Sequence, residues 1–187
     1  MFYLGMTALV LALALAGFLV YASRRPDTFR VQRTARVNAP AEAIFPLIND
    51  YRNWTLWSPY EHRDPALKRT FSGAASGRGA VYAWEGNSNV GSGRMEIVDT
   101  TPSRIIIKLD FFKPFKANNV AEFTLEPKGG ATDVWTDVTW AMHGPVPFIG
   151  KIMHLIIDCD KMVGKDFADG LASMKAAVER QAQSNAA

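Results

Sequence analysis

The fold of this chain is decided by residues 103–142, which read SRIIIKLDFFKPFKANNVAEFTLEPKGGATDVWTDVTWAM. Runs rich in β-branched and aromatic residues alternate here with turn-forming residues such as Lys128-Gly129-Gly130, a pattern typical of consecutive strands. The pattern extends upstream to Leu67. It predicts strands near residues 67–73, 79–86, 91–100, 103–111, 117–126 and 132–142. Because short turns join them, these strands should form an antiparallel meander.

Other predicted elements lie on both sides of the meander. Residues 30–38 alternate between apolar and mostly basic side chains and predict a first strand. Residues 41–48 predict a helix, and a second short helix should end before Pro59. Beyond residue 160, apolar residues recur at steps of four and three, namely Val163, Phe167, Leu171, Met174 and Val178. The sequence therefore predicts an α+β domain that ends in a long amphipathic helix.

An uncharged apolar run occupies residues 2–22. A helix of this length rises about 30 Å, the thickness of the hydrocarbon core of a bilayer. We therefore predict a transmembrane anchor over residues 1–23 and a basic linker over residues 24–29. The alternative is a cleaved signal peptide, for which Val20-Tyr21-Ala22 would fit as a cleavage site. The run is longer than the apolar region of a signal peptide and no basic residue precedes it, so the anchor is favoured.

Positive charge follows the apolar run directly. Only Asp27 opposes the five arginines of this segment, which are Arg24, Arg25, Arg30, Arg33 and Arg36. Basic residues are retained on the cytoplasmic side of a membrane. We therefore predict a single-pass protein of the cell membrane whose globular domain, residues 30–182, lies in the cytoplasm. Residues 183–187 are predicted to be a disordered tail.

The charge balance of the remaining chain disfavours nucleic acid as a partner. The net charge is +3, and residues 24–36 alone carry +4 (five arginines minus one aspartate), so the remainder carries −1. Nucleic-acid binding normally requires a basic face. Cys159 is the single cysteine, which excludes an internal disulfide, and His62, His143 and His154 lack the spacing of metal ligands. We therefore predict no metal and no cofactor, and protein partners stay open.

Several short segments along the chain carry a family resemblance. They are residues 37–45 (VNAPAEAIF), 49–54 (NDYRNW), 57–59 (WSP), 82–87 (YAWEGN), 91–93 (GSG), 123–127 (FTLEP) and 161–167 (KMVGKDF). Over roughly residues 30–180 the chain resembles the polyketide cyclase/dehydrase-like branch of the START-like, or SRPBCC, superfamily. The resemblance implies a helix-grip fold, in which a curved antiparallel sheet of about seven strands surrounds a long C-terminal helix. A fold shared by so many activities does not fix a function.

The resemblance also implies an apolar cavity between sheet and helix, suited to a hydrophobic or lipid-like ligand. On the strand 132–142, Val138, Trp140 and Met142 share one face, whereas Trp135 and His143 share the other. We expect the first face to be the concave one. The candidate ligand-binding residues are Trp54, Trp57, Tyr82, Trp84, Val138, Trp140, Met142 and Met162. The alternative is that these side chains only pack the core.

Three hypotheses for the function follow from the sequence. The first is a membrane-anchored domain that binds a hydrophobic or amphipathic small molecule, such as a lipid. The second is a cyclase or dehydratase that uses an acid or base in the same cavity. Its candidate catalytic residues are Glu85, Asp110 and His143. The third is a protein-interaction module, which an exposed apolar patch on the outer sheet face would favour, with Trp135 as the residue to inspect.

Overall fold

Seven antiparallel strands form one sheet in the computed structural model, which describes residues 2–130, 133–156 and 158–185. The strands are β1 (Thr28–Val37), β2 (Lys68–Gly73), β3 (Ala80–Glu85), β4 (Ser92–Thr101), β5 (Arg104–Lys113), β6 (Ala117–Gly130) and β7 (Asp133–Pro145). Their order in the sheet is β1-β7-β6-β5-β4-β3-β2. The predicted meander is confirmed, and β1 closes the sheet beside β7. Residue 132, where the last predicted strand began, lies outside the described residues.

Alternation along the strands divides the sheet into a buried concave face and a polar convex face. On β5, Ile105, Ile107 and Leu109 are buried, whereas Lys108 between them is exposed. The concave face continues through β6 and β7 with Ala121, Phe123, Leu125, Val138, Trp140 and Met142. These residues belong to one hydrophobic core.

The long helix α4 (Cys159–Asn185) lies across the concave face, and this confirms the helix-grip fold. The predicted stripe is its buried side, because Phe167, Leu171, Met174 and Val178 are each at most 2% exposed. The helix runs to residue 185, so residues 183–185 are helical and not part of a disordered tail. Gln, Ala and Ser at 181–184 are compatible with helix, which explains the continuation. Residues 186–187 lie outside the described residues.

A short helical segment connects β1 to β2 beneath α4. It contains helix α2 (Ala41–Asn49) and two 3₁₀ helices, Tyr51–Leu56 and Pro59–His62. Two buried indoles fix this segment, because Trp54 Nε1 donates to the Ile48 carbonyl (3.0 Å) and Trp57 Nε1 donates to the Leu47 carbonyl (2.8 Å). Both predicted helices are therefore present, the second of them as 3₁₀ turns.

Helix α1 (Phe2–Ser23) precedes the domain, and helix α3 (Phe148–Ile156) joins β7 to α4. Residues 5–23 of α1 are long and apolar enough to cross a membrane, by length and composition alone. Among the side chains of α1 that the structure describes, only that of Ala22 is buried. The end of α1 contacts α3, where Lys151 Nζ donates to the Ser23 carbonyl (3.1 Å).

Candidate ligand-binding site

A cavity of about 360 Å³ lies between the concave face, the start of α4 and the 3₁₀ segment. This volume falls within the range of small-molecule pockets. Its wall is largely apolar and aromatic. The apolar wall residues are Trp54, Tyr60, Leu67, Tyr82, Trp84, Val90, Met95, Leu109, Phe111, Ala121, Trp140, Met142, Met162, Val163 and Phe167. Glu61, Arg63, Asn89 and Asp166 contribute the polar groups.

Strand β3 places two aromatic rings on the cavity wall. Tyr82 and Trp84 lie two residues apart and are stacked with a centroid separation of 6.2 Å. Trp84 lies opposite Gly93 in the register of β3 and β4. A Cβ atom at Gly93 would lie 2.4 Å from Trp84 Cη2, so the ring position requires glycine at this point of β4. Phe111 meets Trp84 edge to face at 5.7 Å.

Trp140 and α4 form the opposite wall. The Trp140 ring stacks on Phe167 with centroids 4.1 Å apart and planes 11° apart. A Cβ atom at Gly170 would lie 2.8 Å from Trp140 Cζ3, so the close approach of helix and ring depends on this glycine. The far side of Trp140 stacks on Phe123 at 5.1 Å. This aromatic stack joins β6, β7 and α4 at the wall.

A buried polar cluster interrupts the apolar wall. Glu61 is 6% exposed and accepts hydrogen bonds from Tyr82 Oη (2.6 Å) and Arg69 Nε (2.6 Å). Arg69 Nη2 also donates to the Glu61 carbonyl (3.0 Å). Burial raises the pKa of Tyr82, and the hydrogen bond to the Glu61 carboxylate raises it further. Tyr82 is therefore a neutral phenol that donates its hydrogen bond to the Glu61 carboxylate.

The mouth of the cavity carries a second polar group. Arg63, which follows the second 3₁₀ helix, donates to the carboxylate of Asp166 on α4. The Arg63 guanidinium also lies 5.0 Å from the centre of the Tyr60 ring. Burial raises the pKa of Tyr60, and the Asp166 charge adds to the increase. Met162, which is 56% exposed, and Asn89 complete the mouth.

Sequence reasoning missed both polar clusters. Glu61 and Arg63 lie in a segment without a periodic pattern or a known motif, and they pair with the distant residues Tyr82 and Asp166. Arg69 lies on the predicted strand 67–73, but nothing in that pattern indicates its pairing with Glu61. The aromatic wall was easier to find, because Tyr82 and Trp84 share a strand face that alternation indicates. The missed side chains are brought together only by the packing of the 3₁₀ segment against β2, β3 and α4.

Six of the eight candidate ligand-binding residues lie on the cavity wall. They are Trp54, Tyr82, Trp84, Trp140, Met142 and Met162. Trp57 and Val138 are completely buried in the core and do not reach the wall. Trp57 is instead packed between Trp54 and Trp140, with centroids at 4.8 and 5.3 Å.

The three catalytic candidates do not lie on the cavity wall. Glu85 is exposed and follows Trp84, so strand alternation directs it to the convex face. Asp110 is buried on the convex side, where it accepts a hydrogen bond from Asn118 Nδ2 (2.6 Å) and contacts Lys108 Nζ (3.2 Å). His143 shares the convex face and pairs with Val120 on β6. An acid or base acting inside the cavity would have to be another group.

The pKa of Asp110 differs from what a dry cavity would produce. Burial raises it, but hydrogen bonds from Asn118 and Lys108 and the charge of Lys108 outweigh burial, so the pKa lies below its ordinary value. The group is therefore a carboxylate held in a polar network. Among the described residues, no cluster of three or more His, Cys, Asp or Glu side chains could hold a metal ion.

The convex face is polar around Trp135. The Arg36 guanidinium lies 4.5 Å from the centre of the Trp135 ring and also contacts Asp137 (3.8 Å). Arg104 donates to Glu122 at 2.5 Å further along the same face. The indole is thus half-buried beneath a cation, and this arrangement does not favour the interaction-module hypothesis.

Comparison with known proteins gives the family. The family model described as polyketide cyclase / dehydrase and lipid transport matches residues 28–179. No curated protein matches the chain.

Solved structures support the fold. A solution structure from Thermobifida fusca is 20% identical, with a TM-score of 0.58 over 81% of this chain and 93% of that one. Ginseng major latex-like protein 151 from Panax ginseng is 13% identical, with a TM-score of 0.54 over 83% and 98% of the two chains. DynU16, from the dynemicin biosynthetic locus, is 18% identical, with a TM-score of 0.54 over 83% of this chain and 48% of its own. At these identities the likeness shows the fold alone. The matched segment, residues 28–179, covers most of the 187 residues, so the chain belongs to the polyketide cyclase/dehydrase and lipid transport family.

Proposed function

We propose that this protein binds a hydrophobic or amphipathic small molecule, such as a single-chain lipid, in the cavity beneath α4. The observation that carries the proposal is an apolar cavity of about 360 Å³ that reaches the surface at Met162 and Asn89. An aromatic wall of this kind provides a large apolar contact area with little loss of side-chain entropy. The family supports ligand binding in general.

The cavity volume limits the ligand. A cavity of about 360 Å³ lies near the lower end of the range of small-molecule pockets. A pocket of this size suits one acyl chain or a compact ring system better than two long acyl chains. Glu61 and the Arg63–Asp166 pair would bind a polar group of the ligand, which favours an amphipathic molecule.

The same proposal includes membrane attachment through α1, with the domain in the cytoplasm. The support is the length and apolar composition of α1 and the basic residues that follow it. Attachment would keep the cavity beside the bilayer, where a hydrophobic ligand is most concentrated.

Mass spectrometry of a purified domain tests ligand binding. Because α1 contributes no residue to the wall, residues 27–187 contain the complete cavity. We expect a small molecule to co-purify with this domain and to be lost in Ala121→Trp, which fills the cavity. The matched control is Ala83→Trp on the convex side of β3, which should retain the molecule. Equal retention by the two variants, or an empty wild-type domain, would contradict the proposal.

A second candidate is an enzyme that acts on the bound ligand. The observation that favours it is the Glu61 carboxylate, which is buried on the cavity wall beside the Tyr82 phenol at 2.6 Å. Glu61→Gln should then abolish turnover of the co-purified molecule while its retention is unchanged. Loss of retention without any detectable turnover in the wild type would favour binding alone.

A further inference from the structure

One end of the sheet contains both the connection to α1 and the edge of the cavity. At this end Thr28 of β1 pairs with Pro145 of β7, and the β5–β6 hairpin lies beside them because Phe111 pairs with Ala117. The β3–β4 turn reaches the same level, since Ser92 pairs with both Glu85 and Lys113. We call this the mouth end, because Asn89 and Val90 of the β3–β4 turn line the cavity there.

The mouth end cannot lie far from the end of α1. Only residues 24–27 separate α1 from β1, and at about 3.5 Å per residue they span at most about 14 Å. Contacts shorten this distance further. Lys151 of α3 donates to the Ser23 carbonyl (3.1 Å) and pairs with Asp27 (2.6 Å), and the Val146 amide donates to the Asp27 carbonyl (2.7 Å). If α1 spans a bilayer, as proposed above, α3 and the mouth end lie at its surface.

Exposed apolar side chains are concentrated at this end. Outside α1, the described chain exposes nine large apolar side chains, and four of them belong to the β5–β6 hairpin or the first turn of α3: Phe112, Phe115, Phe148 and Ile149. Phe115 and Ile149 are the most exposed of the nine, at 67% and 65%. Water would not favour such exposure, whereas the interfacial region of a bilayer accommodates aromatic and aliphatic side chains beside basic ones.

The charge of the mouth end matches a membrane surface. Exposed Lys113 and Lys116 flank Phe115, and exposed Arg24 and Arg25 follow α1. The acidic residues at these strand ends are Asp27, which Lys151 engages, and Glu85. The start of α4 adds the exposed Asp158 and Asp160, of which Asp160 pairs with Arg33 (3.0 Å). Basic side chains near an anionic leaflet each add attraction.

We propose that the mouth end docks on the anionic surface of the bilayer in which α1 is anchored. Phe115 and the first turn of α3 insert into the interfacial region, and Lys113 and Lys116 contact lipid phosphates. The cavity then opens next to the membrane, so a hydrophobic ligand would pass between bilayer and cavity without crossing bulk water. This inference rests on the proposed membrane attachment, and it adds a defined contact surface and an orientation of the domain.

Fluorescence quenching by spin-labelled lipid tests the docking in the full chain. In a Cys159→Ser background, Phe115→Cys or Val134→Cys supplies one cysteine for an environment-sensitive label, and the chain is reconstituted in phosphatidylcholine/phosphatidylglycerol vesicles. Val134 is the matched control, because it is exposed and pairs with Gly129 at the opposite end of the sheet. We expect several-fold stronger quenching at 115 than at 134. Equal quenching at the two positions would overturn the proposal. So would a label at 115 that is shielded from water by a second copy of the chain and is not quenched by the lipid.

A charge variant tests the electrostatic contribution of the lysines to docking. The double variant Lys113→Gln/Lys116→Gln should reduce quenching at 115 on the mixed vesicles and leave it unchanged on pure phosphatidylcholine. Unchanged quenching on both would overturn the role of the lysines. These measurements need no ligand, so an empty cavity in the mass-spectrometric test and a failure to dock are separate results.

Discussion

At Gly93 the main chain of β4 passes directly under the ring of Trp84, and the shape of the cavity wall depends on that contact. A Cβ atom at this position would lie 2.4 Å from Trp84 Cη2 and 2.5 Å from the Asp110 carbonyl oxygen. The second contact involves the main chain, so rotation of a side chain cannot relieve it. We expect Gly93→Ala to lower the free energy of unfolding by about 1–3 kcal/mol, as overpacking does.

Urea denaturation measures this effect, with Gly130→Ala as the control. A Cβ atom at Gly130 would have no neighbour within 4 Å, so the control should stay within about 0.5 kcal/mol of the wild type. Similar destabilisation by both substitutions would show that the loss of glycine itself, and not the contact with Trp84, is responsible.

Asp110 should make the stability of the fold depend on pH, and the surroundings of its carboxylate determine the sign of this dependence. Its pKa in the folded protein lies below its ordinary value, because hydrogen bonds from Asn118 and Lys108 outweigh burial. The carboxylate therefore stabilises the fold above that value, and the contribution is lost as the pH falls through the folded-state pKa. We expect the difference in stability between wild type and Asp110→Asn to be greatest near neutral pH and to decrease in acid. Denaturation at several pH values measures it.

The variant Asn118→Ala provides the matched test of this explanation. It removes the amide that donates to Asp110 at 2.6 Å and leaves the carboxyl in place. The stabilisation should then be lost at a higher pH than in the wild type. A stability profile in which Asn118→Ala and the wild type coincide would contradict the assignment.

At the scale of elements, strands and helices were predictable where their periodicity is local. The strand boundaries agree within a few residues, and the stripe from Phe167 to Val178 is the buried side of α4. Contacts in the cavity were harder to predict from the sequence, because the hydrogen bond between Glu61 and Tyr82 depends on how a 3₁₀ segment packs against the sheet. Alternation did indicate that His143 faces away from Trp140, and the structure agrees.

The stripe of α4 makes the stability of the domain depend on helix docking. Leu171 is 1% exposed and lies in the core between sheet and helix. Leu171→Ala should lower the free energy of unfolding by about 2–5 kcal/mol, because it leaves a cavity in a packed interior. The control is Leu56→Ala, since Leu56 is 57% exposed, and its effect should stay below about 0.5 kcal/mol. Thermal denaturation distinguishes them, and comparable losses would contradict the packing argument.

At the scale of the whole molecule, the connection between α1 and the sheet is short, so the orientation of α1 determines on which side of a membrane the domain lies. If α1 spans a membrane, as proposed above, the domain lies on the side where the C-terminal end of α1 emerges, and Arg24 and Arg25 are expected to retain that end in the cytoplasm. The cavity would then open toward the cytoplasmic leaflet.

Reporter fusions at the C-terminus measure this orientation. We expect a reporter that functions only in the cytoplasm to be active and one that requires export to be inactive. The matched variant replaces Arg24 and Arg25 by glutamine and adds two lysines before residue 2, which reverses the charge difference across α1 and should shift activity toward the exported reporter. Activity of the exported reporter alone in the unmodified chain would place the domain outside the cytoplasm. In that case the ligand would come from the outer side, while the cavity and its mouth end would keep the same position next to the bilayer.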